Sequence, residues 1–588
     1  MLIGGLLALL LAACDGEGQP IGANPTTTAL SGQANPAGGP TATLKARPNP
    51  TATSTAVPTL VPTSTPAPTP TPTPPVTKGG TVRGAVLYDG LSLHPYKRNN
   101  ESGNQYAALL YAAALTRRDP VSLSLVPGAA ASWSVNNAAL TVTFKLRDGL
   151  RWSDGQPLSS NDYIWTYEQA RKPENNWPYA TSAFYNPANP DVNGIETMAA
   201  PDPKTLVVKL HAVSYEMAAR ADVIEPLPRQ TWEGKDWNDP AKNAEINKPS
   251  VVSGPWLLKE WKPGEKITFA ANPNSSLYPR PNLDSLSFQL VADSPTALQR
   301  LKNGELDFYA PEATEQAQFE KLPNLQTYRW TPARPTWQYL GFNFRKPQLQ
   351  DRNLRQAMAY ATDRKTIIDK LAAGLGRPLY SDVVPWHPYF VPNLPRYDFN
   401  PEIAQRILKD AGYTLREGRL FSPSGTIIAP LKLMYNAPSP LRESIAGLLK
   451  QAYTTLGLQL EVQNFDYAEY LKFITNPTSD YDLFLGGWSS DLDPEQSGDI
   501  WKNAPGLNNG AYGSEKLTNL YEAAQREPDI LKRKDLMAQV QKLETEELPY
   551  IYLYAGLGWL NVSKKVAGFS TSSSGPAANL YTDWFVVK

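Results

Sequence analysis

The sequence predicts an α/β fold for the chain that follows residue 79. Segments in which polar and apolar residues alternate, such as 140–147, are typical of half-buried strands. Segments whose apolar residues recur every three or four positions, such as 353–373, are typical of amphipathic helices. The two kinds of segment follow one another along the chain, which indicates layers of helices packed on sheets.

Strands dominate the first half of this region. Ser159 followed by Asp162 three residues later is the pattern of a capping box, which predicts a helix from there to about residue 171. Two further helices are predicted over 106–115 and 294–303. The predicted strands are 80–88, 140–147, 205–210, 255–261, 266–271 and 284–291.

Helices and strands alternate more regularly in the second half. Besides 353–373, the predicted helices are 401–411, 441–456 and 515–526. The predicted strands are 337–344, 431–435, 458–462 and 481–486.

The N-terminus has the pattern of an export signal. Residues 1–13 form an apolar run that is too short to span a bilayer and is typical of a secretory signal. The run ends in Leu-Ala-Ala-Cys, which is similar to the bacterial lipobox, although no Lys or Arg precedes it. We therefore expect residues 1–14 to be a lipoprotein signal with Cys14, the only cysteine, carrying the lipid that anchors the protein outside the cytoplasm.

Residues 15–78 form a predicted disordered linker. They contain 14 Pro and 15 Thr in 64 positions and no aromatic residue. Such a composition cannot bury enough apolar surface to offset its ordering entropy, so we expect an extended tether between the membrane and the folded region.

Composition and motifs argue against several functions. The 56 basic and 56 acidic residues cancel, which argues against a nucleic-acid partner. The 3 His residues lie far apart, so no metal or cofactor site is indicated. The sequence has no G-x-S-x-G, phosphate-loop or H-E-x-x-H motif, and we expect no catalysis. Paired carboxylates leave one enzyme alternative, a secreted glycosidase tethered by the linker.

Six sequence blocks occur in a characteristic order. They read LTVTFKLRDGLRWSDGQPLSSNDY (140–163), SGPWLLKEWKP (253–263), LQRLKNGELD (298–307), YLGFNF (339–344) followed by RQAMAYATDR (355–364), PEIAQRILKDAGY (401–413) and YDLFLGGWSSDLDP (481–494). In order and spacing they resemble the bacterial extracellular solute-binding protein family 5, which includes the peptide- and oligopeptide-binding lipoproteins of ABC importers. The resemblance extends from about residue 79 to residue 588.

This resemblance implies a two-lobed, periplasmic-binding-protein type II-like α/β fold with a hinged cleft and an inserted subdomain. A discontinuous lobe I would comprise 79–115, 250–335 and 548–588. The inserted subdomain would be 116–249 and lobe II 336–547. Hinges would lie near Pro335 and Pro549.

The resemblance also implies a ligand site in the loop after the strand 481–486. An acid at the position of Asp491 would pair with the free amine of a peptide. The loop is one residue shorter than in many peptide binders, so Asp493 competes for this role, and both acids could instead cap the next helix. Trp488, next to Gly487, would stack on the ligand or fill the core.

Other candidate residues are distributed along the chain. Asn343 would bond the ligand backbone at the lobe junction or tie its strand to a neighbour. The aromatic loop with Trp386, His387 and Tyr389 would line the cleft or pack at its rim. Glu101 belongs to a polar loop that could meet an extended peptide. No partner for a ligand carboxylate is assigned, and Arg334 and Arg345 are the candidates.

The sequence therefore predicts a lipid-anchored, monomeric substrate-binding protein that delivers peptides to the permease subunits of an ABC importer. An oligosaccharide is the alternative ligand, because aromatic clefts also stack sugars.

Overall fold

The computed structural model describes most of the chain beyond its N-terminal segment. The described residues are 75–97, 101–119, 122, 124–187, 194–214, 216–332, 334–489, 494–501, 507–569, 575 and 579–587. Cys14, linker residues 15–74, Asp491 and Asp493 lie outside this set.

Strands and helices alternate through the described residues. The strands are β1 (Thr81–Val86), β2 (Thr116–Arg118), β3 (Leu125–Pro127), β4 (Ala130–Asn136), β5 (Thr141–Leu146), β6 (Ile195–Asp202), β7 (Thr205–Leu210), β8 (Trp256–Lys262), β9 (Lys266–Ala271), β10 (Ser285–Leu290), β11 (Phe308–Tyr309), β12 (Leu325–Trp330), β13 (Thr336–Phe342), β14 (Gly376–Pro378), β15 (Thr414–Arg416), β16 (Arg419–Phe421), β17 (Leu431–Ala437), β18 (Leu460–Asp466), β19 (Leu483–Ser489), β20 (Tyr550–Gly556), β21 (Gly558–Ser563), β22 (Val566–Ala567) and β23 (Phe585–Val586). The helices are α1 (Glu101–Leu110), α2 (Ser160–Ala170), α3 (Ala180–Ala183), α4 (Met217–Ala221), α5 (Arg229–Trp232), α6 (Ser294–Lys302), α7 (Gln316–Phe319), α8 (Pro347–Gln350), α9 (Arg352–Tyr360), α10 (Arg364–Thr366), α11 (Pro401–Asp410), α12 (Pro440–Thr454), α13 (Tyr467–Thr475), α14 (Glu515–Arg526) and α15 (Ile530–Glu547).

Three sheets organise these elements. Sheet A has seven strands in the order β12-β21-β11-β1-β10-β9-β8. Sheet B has six strands in the order β14-β20-β13-β19-β17-β18. Sheet C is antiparallel, with four strands in the order β4-β5-β7-β6.

Apolar cores cover these sheets. One core contains side chains of both sheet A and sheet C, such as Phe288 and Phe144. Two further cores lie on the opposite faces of sheet B, because successive β13 residues such as Tyr339 and Leu340 belong to different cores. A sheet buried on both faces needs strands that are apolar throughout, and every residue of β20 except Gly556 is buried.

Local sequence signals decide where several helices begin. Helix α2 begins at Ser160, where the capping box predicts it, and the Asp162 carboxylate accepts the Ser159 backbone N–H at 2.8 Å. The continuous helix predicted over 353–373 is wrong. Helix α9 ends at Tyr360, and the Asp363 carboxylate caps α10 by accepting the Thr366 N–H at 2.9 Å. The apolar pattern continues through this break because α9 and the helical turn Ile367–Leu371, which follows α10, pack on the same core of sheet B.

Each sheet takes its strands from particular segments of the chain. Sheet A takes its strands from 81–86, 256–330 and 558–563, and sheet C from 130–210. Sheet B takes its strands from 336–489 and also from Tyr550–Gly556, which the sequence-based boundary at residue 548 assigns to the other lobe. Residues 550–556 therefore pair with the second lobe.

Candidate functional site

The chain passes between sheets A and B at two adjacent crossings. The first joins the end of β12 to the start of β13 through residues 331–335, and the second joins β20 to β21 through Leu557 alone. The crossings lie side by side because Trp330 pairs with Gly558 on one side and Trp337 with Ala555 on the other. Pro335, near which the sequence predicts one hinge, lies in the first crossing, whereas the second crossing is at Leu557 and not at Pro549, near which the other hinge is predicted.

Parallel strands of both sheets end on the side of these crossings. In sheet A, β1, β10 and β11 are parallel, and β11 runs antiparallel to β21, which starts at the second crossing. In sheet B, β17, β18 and β19 are parallel, and the end of β19 pairs with the start of β13. We call these two borders the hinge-side edges. Ligands of open α/β sheets bind outside the carboxyl ends of such strands, so the candidate site lies here.

Trp488 lies at the hinge-side edge of sheet B, at the end of β19. Its half-buried ring is parallel to that of Tyr339, with centroids 6.4 Å apart and an 8° interplanar angle. Tyr339 in turn stacks on Tyr550 at 4.1 Å. Trp488 therefore packs against a row of buried tyrosine rings, and part of its half-buried ring is exposed at the hinge-side edge. Asp491 and Asp493 follow in a segment outside the described residues.

A buried arginine lies behind Gly487, which precedes this tryptophan. Arg442 is 6% exposed and donates to Gln338 Oε1 from Nε and Nη2, at 3.2 Å each, and to Asn436 Oδ1 from Nη1. A Cβ on Gly487 would lie 3.0 Å from Arg442 Nη2 and 2.8 Å from Gln338 Nε2. The cluster therefore favours glycine at this position.

The aromatic loop after β14 contacts the first crossing. The Trp386 indole N–H donates to the Pro332 carbonyl at 2.8 Å, which places Trp386 beside the first crossing. Tyr389 is buried, and its hydroxyl accepts a hydrogen bond from Arg533 of α15 at 2.8 Å. His387 is half-buried, with its ring centroid 5.0 Å from that of Tyr389.

The hinge-side edge of sheet A carries the loop between β1 and α1. Glu101 is the first residue of α1, and its side chain lies outside the described set. The Ser102 hydroxyl donates to the Tyr88 carbonyl at 2.6 Å, which ties the helix start to this loop. Tyr88 and Leu91 are 73% and 70% exposed. The sequence analysis singles out neither residue. The signal that could have indicated them is an apolar residue directly after the first strand.

Asn343 lies at the opposite edge of sheet B, not at the lobe junction where the sequence places it. Strand β13 starts at the crossing and runs away from it, so Asn343 comes after its far end. The Asn343 amide is buried and donates to the Tyr481 carbonyl at 2.9 Å. Arg345 also lies here and donates to the Asn509 carbonyl at 3.2 Å. The structure therefore does not bring Asn343 or Arg345 to Trp488.

Two buried carboxyl groups lie behind the aromatic loop. The Tyr521 hydroxyl is 2.7 Å from Asp382 Oδ2 and 2.8 Å from Glu544 Oε1, and the Asp382 N–H donates to Glu544 Oε2 at 3.0 Å. Burial raises the pKa of Asp382 to about 6. Burial also raises the pKa of Glu544 well above its usual range, and the nearby Asp382 charge adds to this increase. We call these two groups the carboxyl pair.

Comparison with known proteins assigns the chain to a family. Residues 124–509, more than half of the chain, match the model of the middle region of the bacterial extracellular solute-binding proteins, family 5. The chain belongs to this family. Members of family 5 are solute-binding proteins.

Relatives of this family 5 protein support the same fold. The oligopeptide-binding protein AppA of Bacillus subtilis is 24% identical over 470 residues, which cover 77% of this chain and 82% of AppA. The structure of that AppA with a nonapeptide has a TM-score of 0.65 at 22% identity and covers 87% of this chain and 100% of AppA. The substrate-binding protein CtaP of Listeria monocytogenes has a TM-score of 0.74 at 22% identity, with coverages of 87% and 100%. The protein therefore has the two-lobed α/β fold, with sheet A in lobe I and sheet B in lobe II.

The described residues of the family 5 protein contain neither a membrane-spanning helix nor a metal-binding cluster. No helix within the described ranges is long and apolar enough to cross a membrane. No group of three or more His, Cys, Asp or Glu side chains in the same ranges is placed to hold a metal ion.

Proposed function

We propose that this protein is the extracytoplasmic substrate-binding component of an ABC importer and captures peptides between its two lobes. The observation that carries the proposal is the pair of hinge-side edges, joined by two adjacent crossings. A ligand between them contacts both lobes at once only when the lobes are closed, so it stabilises the closed state. The permease subunits would bind this closed form of a monomeric protein without any catalytic step.

Peptides are the ligand class that the relatives favour. AppA of Bacillus subtilis is an oligopeptide-binding protein, and its structure contains a nonapeptide. In this chain, Asp491 would pair with the ligand's amine, Trp488 would stack on its side chains, and Trp386 and the loop before Glu101 would line the two sides. Asp493 is the second candidate for the amine.

The protein would be held at the membrane by its N-terminus. Lipidation of Cys14 would anchor it to the outer face of the cytoplasmic membrane, and residues 15–78 would serve as the tether. The support is the single cysteine at the end of an apolar run.

Calorimetry with a peptide in free and N-acetylated form tests the amine-binding role. Asp491→Asn is expected to weaken binding of the free peptide by roughly 30-fold to several thousand-fold, because removing one partner of a buried charge pair costs about 2–5 kcal/mol. The acetylated peptide has no charge to pair, so the substitution should change its affinity little. Asp493→Asn, which changes the second candidate acid, is measured in parallel to decide between the two residues.

Three outcomes would contradict parts of this proposal. Equal losses for both forms of the peptide would exclude amine pairing by Asp491. A loss from Asp493→Asn alone would move the role to that residue. Binding of oligosaccharides but no peptide by the wild-type protein would replace peptides with sugars as the ligand class.

A further inference from the structure

A cavity of about 620 Å³ lies in lobe II, among residues that the candidate site does not use. Its volume is within the usual range for small-molecule sites. The cavity is lined by α10, by β14 and by residues 397–399, which precede α11. None of the described candidate residues, such as Trp488 or Trp386, takes part in this lining. The cavity is therefore separate from the candidate site.

A buried guanidinium forms part of the cavity wall. Arg364 of α10 is only 5% exposed. It donates from Nε to the Tyr552 carbonyl at 2.6 Å, and from Nη1 to the Tyr397 carbonyl at 2.9 Å and the Ala359 carbonyl at 3.4 Å. A guanidinium has five N–H groups, and the two on Nη2 form no hydrogen bond with the described residues. No described carboxylate forms an ion pair with Arg364 either, so a costly buried charge is left unpaired.

The acidic side chains of the lining already have donors within the protein. Asp363 caps α10, Asp398 accepts the Tyr380 hydroxyl at 2.5 Å, and Asp369 forms an ion pair with Lys365. The lining contains three acidic and three basic residues, so its net charge does not select an anion. The selection comes from hydrogen bonding instead, because each carboxylate has a donor whereas the buried guanidinium retains donors without an acceptor.

The rim of the cavity combines an aromatic ring with a second arginine. Phe399 is 47% exposed. Arg377 of β14 is also exposed, and its one described hydrogen bond runs from Nη1 to the Gly376 carbonyl at 3.1 Å. Tyr380 adds a half-buried ring, whose centroid lies 5.1 Å from Arg364 Cζ. Rings beside guanidinium donors match a molecule with an apolar body and a carboxylate at one end.

We propose that this cavity is a second ligand site and that it binds a small aromatic carboxylate. The carboxylate accepts hydrogen bonds from the guanidiniums of Arg364 and Arg377, and the ring packs on Phe399. The hydrogen bonds of Arg364 to backbone carbonyls hold its guanidinium in place before the ligand arrives, which lowers the entropic cost of binding. The site lies within lobe II alone, so the inference goes beyond the proposed function and does not depend on it.

The test uses 3-phenylpropionate and its neutral amide, 3-phenylpropanamide, as probes. Saturation-transfer NMR detects binding, and calorimetry measures the affinity. The variants are Phe399→Ala and Arg377→Gln, whose original side chains are exposed, so neither substitution should disturb the fold. Arg406→Gln is the matched control, because Arg406 is an exposed arginine of α11 that does not line the cavity. Trp488→Ala reports whether the probe binds at the candidate peptide site instead.

Wild type is expected to bind the acid about ten-fold or more tightly than the amide, because charge-assisted hydrogen bonds are stronger than neutral ones. Phe399→Ala should weaken the binding of both probes about three- to ten-fold, since the ring contact is lost. Arg377→Gln should weaken the binding of the acid by about the same factor and change that of the amide little. Arg406→Gln and Trp488→Ala should leave both affinities at the wild-type value.

Two results with wild type alone would overturn the inference: no binding of the acid, or equal binding of acid and amide. Equal affinities of wild type, Phe399→Ala and Arg377→Gln for the acid would also overturn it. A loss caused by Trp488→Ala alone would place the probe in the cleft and contradict a second site. None of these outcomes bears on peptide binding, so the proposed function stands or falls separately.

Discussion

Glu544→Gln is expected to remove most of the pH dependence that the carboxyl pair gives to the stability of lobe II. The Tyr521 hydroxyl contacts both Asp382 and Glu544, yet it has a single proton to donate. One carboxyl must therefore be protonated to complete the second bond. A glutamine can supply that donor from its amide nitrogen, while its oxygen accepts the Asp382 N–H as Glu544 Oε2 does.

The sign of the effect follows from the raised pKa values. The native protein holds a proton on the pair at pH values where the unfolded chain has released it, so the stabilisation is complete below the unfolded pKa of about 4. It is lost as the pH rises through the native pKa, which is about 6 for Asp382. Each proton contributes a slope of at most about 1.4 kcal/mol per pH unit to the free energy of unfolding. Between about pH 5 and pH 7, wild type should therefore lose roughly 1–3 kcal/mol more than the variant.

Urea unfolding at several pH values, followed by tryptophan fluorescence, measures this difference. Glu546→Gln, two residues away on α15, is the control, because Glu546 is partly exposed and forms only a 3.9 Å ion pair with Lys542. Its pH profile should match that of wild type. If wild type and Glu544→Gln instead lose stability in parallel over this range, the pair shares no proton and the reasoning is refuted.

Two further substitutions test the second crossing and the anchor. Gly558→Ala should destabilise the protein by about 1–3 kcal/mol in thermal or urea unfolding, because the added Cβ would overlap the Trp330 ring. Gly447→Ala is the control and should be neutral or stabilising, because Gly447 is a helical glycine with open space around it. Equal effects of the two substitutions would contradict the role of Gly558. Cys14→Ser should release the protein from membranes or leave it unprocessed, as fractionation and intact mass would show, and unchanged partition with unchanged mass would argue against a lipoprotein.

Strands and helices with one clear period could be predicted from the sequence. Strands β7 and β9 and helix α14 begin and end at the predicted residues, because alternation or helical spacing stops where the polar turns begin. Strand β20 was missed because its residues are buried on both faces and show no alternation. The apolar run continues through Leu557 into β21, so nothing in the pattern marks the point where the chain changes sheets.

The candidate site was less predictable than the fold. The position of Trp488 near the end of a strand could be predicted because it belongs to a family block, and its contact with a ligand stays a prediction. The burial of Arg442 could not be predicted, because a charged residue near the start of an amphipathic helix is normally exposed and only the tertiary packing of α12 buries it. Asn343 is a polar residue in the apolar sequence around β13, which is the pattern expected of a ligand contact. Strand β13 runs away from the first crossing, however, so Asn343 lies at the edge of sheet B opposite to the candidate site. Such assignments depend on topology, which local spacing does not encode.

The unequal lengths of the two crossings restrict the rotation axis between the lobes. The strands on both sides of the two crossings are paired by backbone hydrogen bonds. Twisting one connection relative to the other would break these hydrogen bonds. Leu557 is the only residue between β20 and β21, is buried, and donates its N–H to the Leu375 carbonyl at 3.0 Å, whereas the other connection has five residues. In the proposed closure of the lobes, the short connection would act as the pivot, and the longer one would take up the change in path length. Closure would then be bending about a single axis, so the permease of the proposed function would need to distinguish only one angle.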